Sequence, residues 1–254
     1  MSLKQTQGKK NGTDYSSPAV NKAVDVIEFL ASQVQGVSIT AISDGLGRSV
    51  GEIYRVVRAL ESRRLVYKDL TTDKFQLSLR LFELAHKYPP IERLTRVAFA
   101  EMDLLCKRTL QSCHLAVAEF PDIKIVAAQE SPLPMHYSVR IGSSFEMSET
   151  SSGMVIAAYS TEAQRKYILK MSKPANRQKL LARFEKITHN GYEINDSDVV
   201  TGLINIAVPV HSHEGKILAS LTTPYLHQSK ASVQPEAILQ MQIAASHRMR
   251  QSLG

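Results

Sequence analysis

A short glycine-containing turn between two amphipathic segments limits how the first third of this chain can fold. Ser38 is a suitable N-cap for a short helix, and glycine in the turn 45–48 supplies backbone angles that other residues resist. Ser49 is placed to cap the next helix, whose apolar residues recur at intervals of three and four: Ile53, Val56, Val57 and Leu60. Together with an earlier amphipathic segment over 18–33, this order predicts a helix-turn-helix.

Two short segments rich in strand-forming residues follow the third predicted helix. Residues 65–68 and 74–77 flank the turn-rich stretch 69–73, a pattern that predicts a β-hairpin. A hairpin directly after the recognition helix is a wing, so residues 18–79 are predicted to form a winged helix-turn-helix. In such domains the third helix enters the major groove of DNA.

The exposed face of the third helix and the wing carry the candidate DNA contacts. Arg55 and Arg58 can neutralise phosphates or reach guanine, and Tyr54 can donate to a phosphate or pack on a sugar. Glu52 either accepts from a cytosine amino group or caps the helix, and its place in the first turn favours capping. The full set of candidates is Arg48, Ser49, Val50, Gly51, Glu52, Tyr54, Arg55, Arg58, Lys68 and Lys74.

The charge distribution agrees with an anionic partner but does not identify one. The chain has a formal net charge of +7, and residues 1–88 hold 13 Lys and Arg against 9 Asp and Glu. Five arginines cluster in one stretch: Arg48, Arg55, Arg58, Arg63 and Arg64. A solvated helix face gives the same pattern, so a small helical domain that binds protein remains an alternative.

Residues 18–80 resemble the DNA-binding domain of the IclR family of bacterial transcriptional regulators. The stretches that carry the resemblance are AVNKAVDVI at 19–27, ITAI at 39–42, IYRVVRALE at 53–61 and FQLS at 75–78. Members of the family often have a Lys-Ser-Thr-like run where this chain has Val50-Gly51-Glu52. Base contacts therefore do not transfer from relatives, and a different operator sequence is expected.

Pro89-Pro90 marks the predicted boundary between two domains. Residues 1–17 are polar and predict a flexible leader without a secretory signal, and residues 80–90 predict a linker helix ended by the prolines. Residues 91–254 predict a second domain with helices over 91–110, 154–159, 161–171, 177–189 and 235–253, and strands over 114–119, 124–129, 203–210 and 216–223. The fold class is therefore α+β.

The second predicted hairpin has two different faces, because strand side chains alternate. Ile204, Ile206, Val208 and Val210 are uniformly apolar and must cover a helix layer. Their alternates, Asn205, Ala207 and Pro209, are small and partly polar. The second face fits either the wall of a ligand pocket or an exposed sheet face.

Residues 91–254 resemble the effector domain of the IclR family, an α/β domain related to the GAF fold. The stretches in family order are Arg140-Ile141-Gly142, Thr150-Ser151-Ser152-Gly153, Asn190-Gly191-Tyr192 and GLINIAVPV at 202–210. The resemblance implies a small-molecule effector held by Ser151, Ser152, Asn205 and Thr222. A single winged helix offers too little interface for high specificity, so we also expect a homodimer or dimer of dimers that binds a near-palindromic operator in double-stranded DNA, with the linker transmitting the effector's signal.

Several positions depart from the family pattern, so the ligand cannot be copied from a relative. Asn205 replaces a frequent cysteine or serine, Pro224 stands where serine is common, and Ser148, beside Glu149, stands where histidine is common. Backbone N–H groups at the start of the helix containing Met154 would suit a small carboxylate or a hydroxylated metabolite.

Other classes of function have weaker support in the sequence. His211 and His213 could be two metal ligands, but no third ligand stands at a suitable spacing, and no catalytic motif or membrane-spanning run is present. Cys106 and Cys113 fit core thiols in a reducing cytoplasm. We therefore expect no metal, cofactor, membrane partner or catalytic residue. A C-terminal domain that only oligomerises remains an alternative, and a hydrolase is a more distant one.

Overall fold

The computed structural model describes residues 17–173, 176–197, 199–228 and 233–253. The chain divides into two compact units between Tyr88 and Pro89. Apart from its last residue, Ser17, the predicted leader lies outside the described residues.

The N-terminal unit has the predicted order of helices followed by a hairpin. Its helices are α1 (Pro18–Ala31), α2 (Ile39–Leu46), α3 (Val50–Ser62) and, after the hairpin, α4 (Arg80–His86); the hairpin pairs β1 (Val66–Lys68) with β2 (Phe75–Leu77). The Ser38 and Ser49 side chains cap α2 and α3 by accepting from the backbone N–H groups of Ala41 and Glu52. Gly47 ends α2 in the left-handed region, with φ of 62°.

One apolar core joins these elements. It contains a residue or more from each of α1, α2, α3 and both strands: Val26, Leu30, Ile42, Ile53, Val57, Leu60, Val66 and Phe75. Val56 is only partly buried and packs at the edge of this core. The opposite face of α3 is consequently left outward, which is the arrangement that a recognition helix requires.

The C-terminal unit is built on an antiparallel sheet covered by helices on both faces. Within the described residues its strand order is β5-β4-β3-β8-β7-β6. The strands are β3 (Cys113–Glu119), β4 (Asp122–Gln129), β5 (Ser144–Glu146), β6 (Glu193–Asp196), β7 (Leu203–His211) and β8 (Ile217–Leu226). The helices are α5 (Pro89–Thr109), α6 (Ser151–Ala158), α7 (Glu162–Met171), α8 (Arg177–Asn190) and α9 (Pro235–Ser252). A 3-10 turn, Met147–Glu149, precedes α6.

The two faces of the second hairpin meet different helix layers. Ile206, Val208 and Val210 are buried in one core with α5 and α9. Ala207 is buried in a second core with α6 and α8, so helices cover this face of the sheet at its centre. The predicted two-faced character is therefore present, and the polar face is not an exposed one.

Strands β5 and β6 were not predicted from the sequence, and two helix boundaries that bear on the linker and the candidate site differ from the expectation. Pro89 and Pro90 open α5 instead of closing the linker helix, because proline fits the first turn of a helix, where no intrahelical N–H bond is needed. Helix α6 begins at Ser151 instead of Met154, because the Thr150 side chain caps it by accepting from the Gly153 N–H at 3.0 Å. Ser151 and Ser152 thus lie in the first helical turn and not in the preceding loop.

Candidate DNA-binding surface and effector pocket

The outward face of α3 brings several of the predicted DNA contacts together. Val50, Gly51, Tyr54, Arg55 and Arg58 are all exposed, at positions that share one side of the helix. Arg55 makes no hydrogen bond or ion pair within the described part of the chain, whereas Arg58 pairs with Glu61 one turn further along. The guanidinium of Arg55 is therefore the more readily available of the two.

Arg48 and Glu52 are engaged with helix α1. Arg48 Nη2 lies 2.9 Å from Asp25 Oδ2, and Arg48 Nη1 lies 3.5 Å from Glu52 Oε1. Glu52 also pairs with Lys22, and this hydrogen bond to Lys22, with the nearby charge of Arg48, holds the pKa of the Glu52 carboxyl below its usual value. The structure thus ties Glu52 to the α1–α3 junction, while Ser49 is occupied as the cap.

The wing carries the two lysines predicted from sequence. Lys68 Nζ lies 2.6 Å from Asp73 Oδ1 and 5.7 Å from the ring centroid of Phe75. Lys74 is exposed and unpaired among the residues that the structure describes. The wing therefore offers one cation that is already neutralised in part and one that is available.

A cavity in the C-terminal unit lies between the start of α6 and the sheet. About 50 Å³ of it admits a water-sized sphere, which makes the empty cavity smaller than the usual small-molecule site, and its mouth is open to solvent. Its polar lining residues are His114, Glu149, Thr150, Ser151, Ser152, Ser197 and Asn205. Its apolar and aromatic lining residues are Ile123, Ile125, Tyr137, Val139, Phe145, Val199, Leu203 and Pro224.

The first turn of α6 gives this cavity a set of hydrogen-bond donors. The N–H groups of Ser151 and Ser152 precede the first intrahelical bond, and Thr150 caps only the N–H of Gly153. A Cβ on Gly153 would lie 2.5 Å from the Met147 Cα and closer still to its carbonyl oxygen. Glycine at this position therefore allows the turn Met147–Glu149 to pack against the helix and to place Glu149 at the cavity.

Buried polar side chains continue from the cavity into the sheet. His114 Nε2 lies 3.1 Å from Ser152 Oγ, which lies 2.8 Å from Thr222 Oγ1. Burial lowers the pKa of His114 to about 4, so the ring is neutral at pH 7. Ser151 Oγ and His114 Nδ1 are buried and have no hydrogen-bond partner among the described residues. Two polar atoms of residues that line the cavity are thus left without a hydrogen-bond partner.

Three of the predicted effector contacts, Ser151, Ser152 and Asn205, line the cavity. Thr222 is not among the lining residues; it lies behind Ser152 and is bonded to it. The sequence reasoning missed His114, which comes to the site because β3 pairs with β8 and sets His114 opposite Thr222. A histidine at the start of an apolar strand was the available signal.

Other candidates from the sequence lie elsewhere or are engaged in contacts. His211 stacks edge-on against Tyr159 at 4.9 Å, and the described residues contain no group of three or more side chains able to hold a metal. The Cys106 and Cys113 thiols are buried and 3.4 Å apart, and their hydrogen bond, with burial, raises the pKa of Cys113. In the described part of the chain, no helix is long and apolar enough to cross a membrane.

The sequence of the chain matches two family descriptions. "IclR helix-turn-helix domain" matches residues 19–70, and "Bacterial transcriptional regulator IclR C-terminal" matches residues 91–248. The chain belongs to the IclR family. It is accordingly a transcriptional regulator with a DNA-binding helix-turn-helix and an effector-binding C-terminal domain.

Relatives in this IclR family are distant in sequence but similar along most of their length. The chain is 23% identical over 212 residues to HTH-type transcriptional regulator XynR of Escherichia coli (80% of this chain, 84% of XynR). It is 25% identical over 218 residues to KdgR of Dickeya chrysanthemi (83% of this chain, 71% of KdgR). An IclR homologue from Microbacterium hydrocarbonoxydans, solved with 4-hydroxybenzoate, has a TM-score of 0.77 at 20% identity (92% of this chain, 98% of that one). This likeness confirms the predicted fold class.

Proposed function

We propose that this IclR-family regulator binds a near-palindromic operator through α3 and the wing, and that a small carboxylate in the cavity beside α6 controls it. The observation that carries the effector half is the pair of buried, unpartnered polar atoms, Ser151 Oγ and His114 Nδ1, next to the free N–H groups of the α6 first turn. Such unsatisfied groups are costly in an empty interior and are expected where a ligand completes them.

For DNA binding, the proposed contacts are the outward side chains of α3 and the available lysine of the wing. Tyr54, Arg55 and Arg58 project from the side of α3 opposite its buried residues, and Lys74 is free to reach a phosphate. Arg48 and Glu52 are assigned a supporting role, because their ion pairs with α1 hold the start of α3 in place.

A second copy of the chain is part of this proposal. One winged helix buries too little DNA surface for high specificity, so two copies on two half-sites are expected. The N-terminal unit offers apolar surface that a second copy could cover, since Leu79, Phe82, Leu84 and Tyr88 in and beside α4 are 47–77% exposed. As a regulator of bacterial transcription, the protein is proposed to act in the cytoplasm.

The DNA half is tested with an operator selected in vitro from random duplexes and measured by fluorescence anisotropy. Arg55→Ala is expected to weaken binding at least about tenfold, since it removes a cation from the proposed groove-facing side. Arg96→Ala is the matched control, because Arg96 is an exposed arginine of α5 in the other unit. If both variants lose operator affinity equally, or if Arg55→Ala loses none, the assignment of the outward face of α3 as the DNA-binding surface is contradicted.

For the effector half, the cavity favours an acid with an apolar or aromatic body. Ile123, Ile125 and Phe145 form an apolar wall, while the donors of the α6 first turn suit a carboxylate group. The described lining residues include no lysine or arginine, so the negative charge would be held by N–H and O–H groups. The Microbacterium homologue binds 4-hydroxybenzoate, an acid of this kind, which supports including aromatic acids among the candidates.

Calorimetry with a panel of small aromatic and aliphatic acids, each paired with its amide, tests this assignment. We expect at least one acid to bind and its amide to bind at least about tenfold more weakly, because the amide lacks the charge that the helix start favours. Ser151→Ala should weaken that binding, whereas Ser160→Ala, a buried serine just beyond the other end of α6, should not. If none of the acids binds, the proposed effector class is wrong.

A further inference from the structure

The buried polar side chains beside the cavity form a linear chain of hydrogen bonds. In the described residues it consists of three contacts: His114 Nε2 to Ser152 Oγ at 3.1 Å, Ser152 Oγ to Thr222 Oγ1 at 2.8 Å, and Thr222 Oγ1 to Ser220 Oγ at 3.3 Å. All four residues are at most 7% exposed. The described residues supply no other hydrogen-bond partner to these four side chains, so their protons are matched among the members of this hydrogen-bond chain.

Counting these protons decides the tautomer of His114. A neutral histidine has one ring proton, and each of the three hydroxyl groups has one, so four protons compete for three hydrogen bonds. If all three hydroxyl protons point along the chain toward His114, each has an acceptor, and the ring proton resides on Nδ1. If Nε2–H donates instead, one hydroxyl proton loses its acceptor and the Nδ1 lone pair is also unmatched.

The first arrangement therefore leaves fewer buried groups unsatisfied. Its single unmatched group is the Nδ1–H, on a ring that lines the cavity. Burial holds the pKa of His114 near 4, so the count of one ring proton applies at neutral pH. Glu149 is the one carboxylate among the described lining residues, and it is exposed.

We propose that the chain Ser220–Thr222–Ser152 fixes His114 as its Nδ1–H tautomer, and that this N–H donates a hydrogen bond to the effector. The proposal rests on the proposed effector pocket and adds a specificity-determining residue to it. His114 requires an acceptor atom on the ligand, as a carboxylate or carbonyl oxygen provides, and disfavours a ligand that presents an ammonium or amide N–H there. Thr222 and Ser220 act through Ser152 and are positioning residues.

The tautomer is measured directly, without any ligand, by nuclear magnetic resonance of the full-length chain labelled with ¹⁵N-histidine. The chain has eight histidines, and the His114 ring is assigned by its absence in the spectrum of His114→Asn. We expect the nitrogen shifts of a neutral Nδ1–H ring in the wild type. An Nε2–H ring would overturn the proposal.

A variant of the hydrogen-bond chain tests what sets the tautomer. In Ser152→Ala the ring loses the hydroxyl that donates to Nε2, so we expect a mixture of the two neutral tautomers. Ser160 does not belong to this hydrogen-bond chain, so Ser160→Ala should keep the single Nδ1–H form. If the tautomer ratio in Ser152→Ala equals that of the wild type, the hydrogen-bond chain does not set the tautomer and its proposed role is overturned.

The ligand contact is tested with the same acids and amides by calorimetry. His114→Leu, which removes the donor, is expected to weaken binding of the wild type's best acid about tenfold or more. His114→Asn, which restores an N–H near the position of Nδ1, should recover part of that loss, and His211→Leu on β7 outside the cavity should bind as the wild type does. Far-UV circular dichroism checks that each variant is folded.

The outcomes separate this inference from the proposed function. If the wild type binds an acid and folded His114→Leu binds it equally well, the contact is overturned while the effector pocket stands. If the wild type binds none of the acids or amides, the proposed effector class fails, and the ligand contact fails with it. If His114→Leu does not fold, the ligand contact is judged from the affinity of His114→Asn and from the tautomer of the wild type. Loss of all binding in folded His114→Asn would then overturn the assignment of His114 as a donor.

Discussion

Replacing glycine by alanine in the first turns of α3 and α6 is expected to change stability in opposite directions. A Cβ on Gly51 would meet no atom within 4 Å. Alanine is favoured over glycine within a helix by about 1 kcal/mol, so Gly51→Ala should stabilise the N-terminal unit by up to about that amount. The same gain is available at Gly153, but there the added atom meets the backbone of Met147.

The size of the Gly153 effect follows from what the new atom meets. The Cβ would lie 2.5 Å from the Met147 Cα and 2.8 Å from its carbonyl carbon, and backbone cannot rotate away as the end of a side chain can. Overpacking of this kind costs about 1–3 kcal/mol, and three backbone contacts favour the upper end. After subtracting about 1 kcal/mol of helix propensity, Gly153→Ala should destabilise the C-terminal unit by about 2 kcal/mol.

Urea unfolding followed by far-UV circular dichroism is the assay, since the chain has no tryptophan. If the two units unfold in separate transitions, Gly51→Ala should raise the midpoint of one and Gly153→Ala should lower that of the other. Because the turn Met147–Glu149 must shift in Gly153→Ala, effector affinity should fall as well. A Gly153→Ala protein as stable as the wild type would refute the packing argument, and a destabilised Gly51→Ala protein would refute the account of α3.

Three further predictions concern the cap of α6, the wing and the buried histidine. Thr150→Ala should lose the N-cap bond to Gly153 and about 1 kcal/mol in urea unfolding, whereas Thr150→Ser should keep most of it; equal loss would show that the hydroxyl is not the cap. Operator affinity should fall steeply with salt, and Lys74→Ala should reduce the slope of log K against log salt by about 1; an unchanged slope would mean that Lys74 contacts no phosphate. The depressed pKa of His114, about 4 against 6.5, stabilises the fold above pH 6.5, and that stability should be lost as pH falls toward 4, by about 3 kcal/mol. In urea unfolding at each pH, His114→Asn should lose less across this range than the wild type, and an equal loss would assign the acid sensitivity to other groups.

The N-terminal unit was predictable because its determinants are local. Each determinant acts within a few residues along the chain: the caps Ser38 and Ser49, the turn at Gly47, and the spacing of Ile53, Val57 and Leu60. Local signals of this kind identify the helices and strands correctly even where they do not give the exact first and last residues. The ion pair of Glu52 with Lys22 was not predictable, since it joins residues that are distant in sequence and meet only after the helices pack.

The effector site was predictable only in its local part. Ser151 and Ser152 were identified from a short stretch, although α6 starts earlier than its apolar run suggests, because Thr150 provides a cap that the pattern of apolar residues does not reveal. His114 was missed because its role depends on Ser152, 38 residues away, and on the pairing of β3 with β8. Thr222 was identified, but its position behind Ser152 required the packing of α6 on the sheet.

This division between local and distant determinants suggests how the pocket selects a ligand. The first turn of α6 provides N–H groups that suit any small anion, and it needs only Thr150 and Gly153 to form. Selection among anions must then come from the strands, where Asn205 and Pro224 face each other across β7 and β8 and both line the cavity. Substitutions there and at His114 change the acceptors and donors that meet the ligand while the helix start is kept. Two of the positions at which this chain departs from the family pattern, Asn205 and Pro224, therefore lie where the ligand preference of the proposed effector pocket can change without loss of the first turn of α6.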